Sequence, residues 1–172
     1  MDSKGQAYSV FKLLIAAIIA VAMLYILMSI IGLIVPPGND VQNYAKQMIQ
    51  KQKDLLGAMD TSPAVSFNAG TSLATKALVG NSGLTSDQIC IHKGDFATNQ
   101  NLSLAGNSIV NGGTSNLSVK ARVVCDHSNN LVQTVEDLES GIDLSGDDGV
   151  CECPIESETA TQLCCAVILK YA

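Results

Sequence analysis

The sequence predicts an α+β protein in which a long N-terminal hydrophobic helix is followed by a β-rich, disulfide-braced globular domain. Three observations predict this: a charge-free apolar run from Leu13 to Val35, short apolar runs separated by Gly, Asn and Ser after residue 60, and six cysteines, all beyond the first run. The 172 residues suit one folded domain plus a helix and are too few for a second ordinary domain. The expected divisions are a short leader over 1–12, the hydrophobic helix over 13–35, an amphipathic helix over 39–59 and the β-rich domain over 60–172.

The apolar run covers 23 positions. At about 1.5 Å per helical residue this is about 34 Å, enough to cross a hydrocarbon layer of about 30 Å. A secretory signal would have an apolar region of only about 7 to 15 residues, ending in a small-x-small site. This run is longer and lacks that ending. Pro36-Pro37-Gly38 encodes the stop, because proline removes amide donors and resists continued helix. Lys4 and Lys12 flank the start, which by the positive-inside rule puts the following domain outside the cytoplasm. The small residues Ala16, Ala17, Ala20, Ser29 and Gly32 would let another helix approach closely, Ala16 and Ala20 standing in small-xxx-small spacing.

After the proline break, Val41, Tyr44, Ala45, Met48, Ile49, Leu55, Leu56 and Met59 recur mostly three and four residues apart, the pattern of an amphipathic helix. Asn39 or Asp40 would cap its start, and Thr61-Ser62-Pro63 would end it. Beyond it, short apolar runs at 64–67, 89–91, 102–106, 108–110, 117–125 and 163–171 read as strands. Within 117–125, Leu117, Val119, Ala121, Val123 and Cys125 alternate with Ser118, Lys120 and Arg122, so one face would be buried and the other wet. Residues 129–139 have helix potential, 72–79 could be a short helix or a strand, and 107–116 reads as an exposed loop. The run at 163–171 is too short to cross a membrane and reads as a strand tied into the sheet. With no Trp, three Phe and four Tyr, the core must be mainly aliphatic.

Cys90, Cys125, Cys151, Cys153, Cys164 and Cys165 form an even set in a domain placed outside the cytoplasm, which favours a disulfide framework whose pairing the sequence leaves open. Neighbours cannot easily bond each other, so Cys164 and Cys165 should serve different partners. Metal binding by these thiols, joined by His92 or His127, is the alternative, but the spacings lack the gaps usual in zinc sites. Asp143 to Gly149 carries oxygen ligands at alternating positions yet lacks the glycine and the final glutamate of a calcium loop, and reads as an acidic turn. Asn101-Leu-Ser and Asn116-Leu-Ser are N-glycosylation sequons. The net charge of −6, with many acids and no Lys or Arg between Glu136 and Glu158, excludes a nucleic-acid face on a single subunit. No phosphate loop, nucleophile elbow or histidine ligand pair is present, so neither catalysis nor a cofactor is expected.

Lys4-Gly5-Gln6 stands directly before Ala7-Tyr8-Ser9-Val10-Phe11 and the apolar run. Over about the first 35 residues the chain thereby resembles archaeal type IV pilin-like proteins, in which a peptidase cuts between the Gly and the Gln and the hydrophobic helices then bundle into a filament core. It differs in carrying Val10 where many pilins carry Glu, and in the charge of Lys12. The resemblance implies cleavage between Gly5 and Gln6, a structural and non-enzymatic role, a helical homopolymer of self-associating subunits, and a membrane-inserted state before assembly. The expected function is therefore a subunit of an extracellular type IV pilus-like filament serving attachment. A monomeric membrane-anchored binding module or adhesin is the alternative.

Overall fold

The computed structural model describes residues 15–21, 23, 40–144, 146–155 and 161–172. The fold is α+β, and the chain divides into two units between Gly38 and Asn39.

In the first unit the described residues 15–21 are helical, as α1, with Met23 also helical. Its side chains are exposed, Ile18 at 60% and Val21 at 69%. This corrects the expected long hydrophobic helix over 13–35: among the described residues no helix is long and apolar enough to cross a membrane. Hydropathy reports which solvent the side chains prefer. It does not report how far the backbone helix continues. The remainder of that segment lies outside the described residues.

The second unit begins with α2 (Asp40–Gln52), which buries Val41, Ala45, Met48, Ile49 and Gln52 along one stripe. It is shorter than the expected 39–59. Gly57 takes a φ of +73°, open to a residue without a Cβ, and its amide donates to the Cys125 carbonyl at 2.9 Å, so the chain turns into a strand instead of continuing the helix. Leu55 and Leu56, expected on the helix stripe, are left half exposed in this turn.

The remaining elements are β1 (Met59–Thr61), β2 (Val65–Phe67), β3 (Ser72–Ala74), α3 (Thr75–Val79), β4 (Ile89–His92), β5 (Leu102–Leu104), β6 (Ser108–Asn111), β7 (Leu117–His127), α4 (Ser128–Leu138), β8 (Gly149–Val150) and β9 (Leu163–Tyr171). A mixed sheet runs in the order β1-β7-β9-β4-β8, with β2 also on β7, while β3-β6-β5 form a small second sheet. Strand β9 occupies the centre, antiparallel to β7 and parallel to β4. Its residues are buried from Cys164 to Leu169 because both faces of the sheet are covered.

On one face, Val119, Ala121, Val123, Cys125, Cys165, Val167 and Leu169 join Ile89 and Ile91 beneath α2, Leu78 of α3 and the small sheet. On the other, Cys90, Val124, Cys164, Ala166 and Ile168 pack against Leu131 and Val135 of α4 and against Ile142, Leu144 and Cys153. Strand β7 therefore buries Val119, Ala121, Val123 and Cys125 as expected and leaves Ser118, Lys120 and Arg122 on the more open face. From Val123 to Asp126 both faces are buried, because α4 folds back over what alternation alone would leave wet. The strand expected at 108–110 is β6, held by Ile109 and Asn111, each fully buried, so the exposed loop expected over 107–116 is confined to the residues that follow it.

Candidate functional site

The chemistry-bearing residues concentrate around the middle of the main sheet. Three disulfides are formed: Cys90 with Cys151, Cys125 with Cys165, and Cys153 with Cys164. Strand alternation explains how adjacent Cys164 and Cys165 serve different partners, since they point to opposite faces. Cys165 lies directly opposite Cys125 in the β7–β9 register and bonds on the α2 face. Cys164 bonds on the α4 face, where Cys153 brings in the segment that follows β8. Cys90 of β4 holds Cys151 one residue beyond the Ile91–Val150 pair. The described domain contains no free cysteine. Metal ligation by these thiols has no ligand left, and among the described residues no His/Cys/Asp/Glu group could hold a metal. Cys151 and Cys153 are bonded to different strands, so they do not make a dithiol couple with each other.

Beside this clamp lies a charged cluster that residue spacing alone does not show. Lys170 of β9 places its Nζ 2.6 Å from Asp95 Oδ1 and 2.6 Å from Glu139 Oε1, and Arg122 of β7 pairs with the same Glu139. Glu139 caps the C-terminal end of α4, its amide donating to the Val135 carbonyl at 2.7 Å. Its carboxylate thus ties the helix to two strands. Burial opposes ionisation of Asp95, yet the Lys170 ammonium and the Tyr171 amide more than offset it and hold its carboxyl below the usual range. The alternation of Lys120 and Arg122 signalled a polar face. The return of α4 that supplies Glu139 was not signalled.

His92 is also built in. It is 5% exposed, its Nδ1 accepts the Gly94 amide at 2.9 Å, and its ring donates to the Asp143 backbone carbonyl. Burial lowers its pKa, with Lys93 adding to the effect and Asp148 and Asp143 opposing it. Lys93 in turn pairs with Asp148 at 2.8 Å. The acidic turn is therefore a structural flap latched on β4. His127 is a strand-end residue whose Nδ1 lies 3.0 Å from the Thr161 carbonyl.

Two shallow grooves are lined by described residues. One of about 250 Å³ runs between α2 and β1 past Tyr44, Lys51 and Asp60, where Lys51 and Asp60 pair at 2.8 Å. The other, about 330 Å³, lies at Thr75, Lys76 and Asn107. Neither collects a nucleophile, base and orienting group within reach of one another.

Of the other residues singled out by sequence, Ala16, Ala17 and Ala20 are exposed on α1, whereas Gly5, Gln6, Ser29 and Gly32 lie outside the described residues. Asn101 and Asn116 are both exposed, at the starts of β5 and β7. No family model, curated protein or solved structure matches the chain.

Proposed function

We propose that this chain is the structural subunit of an extracellular type IV pilus-like filament that serves surface attachment, with the apolar segment Leu13 to Val35 as its assembly element. The observation that carries the proposal is Lys4-Gly5-Gln6 standing ahead of that segment with six residues between them. Two features support it. The helical residues 15–21 present apolar side chains to the surroundings, which a water-exposed segment would not retain without something to bury them. The second unit is closed by three disulfides, the brace expected of a domain displayed in an oxidising compartment. In this reading the subunit is inserted in the membrane before assembly, its partner is another copy of itself, and the chain carries no enzymatic step.

Electron microscopy of protein sheared from the cell surface tests the proposal. Filaments whose subunits begin at Gln6 are the expected result. Monodisperse particles in detergent that retain Met1, and that give no crosslinked ladder in intact cells, would instead identify a monomeric anchored module.

A further inference from the structure

The two sequons stand 15 residues apart in the chain, one just before β5 and the other at the end of the loop that leaves β6 beside it. Asn101 precedes β5 and Asn116 precedes β7, and the loop between β6 and β7 connects them. The Asn101 carbonyl accepts the Gly112 amide at 2.8 Å. Its side chain lies over Gly113, where an added Cβ would stand 3.0 Å from the Asn101 Cγ, so a glycine there leaves the asparagine its room. The far end of the same loop is pinned by buried Asn111, whose Nδ2 donates to the Phe67 carbonyl at 2.9 Å and to the Ser115 carbonyl at 3.2 Å. Asn116 follows at once, and its Oδ1 accepts the Ala69 amide at 2.9 Å, which leaves Nδ2 on the other branch of the amide.

Both asparagines are exposed, as are the hydroxyl residues that complete the sequons, Ser103 and Ser118. The intervening residues anchor each site: Leu102 is buried opposite Asn111, and Leu117 pairs with Phe67. The surroundings are Gly, Thr, Ser and Asn, with Thr114 and Ser115 exposed and no charged residue from 97 to 119. Such a surface neither repels a neutral glycan nor competes with it for ion pairs. Strand β5 is also an outer strand of the small sheet, pairing only with β6 in the sheet order, and an open edge of this kind needs cover against pairing with another chain.

We infer that Asn101 and Asn116 are both N-glycosylated, and that the paired glycans form one sugar-covered pole which shields the β5 edge. This rests on the domain being outside the cytoplasm, as proposed above. In the reaction, Nδ2 of each asparagine attacks the anomeric carbon of a lipid-phosphate-linked oligosaccharide. The new N–C bond replaces the C–O bond to phosphate, the lipid phosphate leaves with the electron pair, and the amide gives up one proton to a base of the transferase. No oxidation or reduction occurs.

Mass spectrometry of the protein taken from the surface fraction of the cells that make it, with peptide mapping and a count of free thiols, tests the inference. Sugar is expected on Asn101 and on Asn116, with S103A and S118A each removing one glycan and S103T and S118T each keeping it. Bare asparagines in a surface protein with all six cysteines paired would overturn this inference and leave the outside location standing. Reduced thiols in a soluble cell fraction would overturn both. Sugar that survives S103A and S118A would show attachment elsewhere and overturn the two-site assignment.

Discussion

His92 shows how a single buried ring couples the domain to pH. Its folded-state pKa lies below its ordinary value because burial penalises the cation, so the native state binds fewer protons than the unfolded chain. The stabilising contribution is complete above the ordinary histidine value and is lost as pH falls through it towards the depressed folded value. Protonation would also turn Nδ1 into a donor facing the Gly94 amide. Urea unfolding is expected to show falling stability from about pH 7.5 to about pH 5. H92Q should be less stable at the upper pH by about 1–3 kcal/mol and should show a flatter pH dependence, because the buried titrating group is gone. A second residue-scale test concerns Gly94. Its φ is +54° and an added Cβ would lie 2.0 Å from the Leu169 carbonyl oxygen, so G94A should cost about 2–4 kcal/mol in the same measurement. From sequence His92 reads as an ordinary strand-end histidine, since its burial depends on a flap that arrives some fifty residues later (roughly). The sequons, by contrast, are complete in three letters, and only their exposure on one loop system required the fold.

At the scale of elements, the local patterns were legible and the returns were not. The alternation in β7 named its buried side correctly through Cys125, and the run at 163–171 is a strand, β9. Hydrophobic periodicity did not reveal that α2 stops at Gln52, because the stop is a backbone hydrogen bond from Gly57 to β7, a contact made across the fold. The cysteine pairing was hidden for the same reason: it follows strand order, with β9 between β7 and β4, and strand order is not written in spacing. Loop closure ranks the disulfides. Cys125–Cys165 spans 40 residues and Cys153–Cys164 spans 11. By chain entropy, removing the first should cost about 4 kcal/mol and the second about 3. Calorimetry on C125S/C165S and C153S/C164S is expected to rank them in that order. E139Q should cost about 1–3 kcal/mol by releasing the end of α4 from Lys170 and Arg122, and hydrogen exchange should quicken first in the last turn of that helix.

For the whole molecule, the described fold divides the labour implied by the sequence: chemistry is stapled inside the second unit, and the apolar side chains of α1 remain outside any core of their own. The structural basis of the proposed assembly was the least legible part, because composition identified an apolar segment and not the extent of its helix. The place of β9 has a consequence for biogenesis. It is the shared neighbour of β7 and β4, so β4 has no strand beside it on that side, and β7 none on its own, until residues 163–171 have been made. The parallel β4–β9 pairing in particular joins segments more than seventy residues apart, by roughly the separation of Ile89 and Cys165. During synthesis the emerging chain therefore has no finished sheet, and Cys90 and Cys125 wait for partners that come later. Both faces of the sheet, and the Cys125–Cys165 and Cys153–Cys164 bridges with them, close together when this last strand arrives.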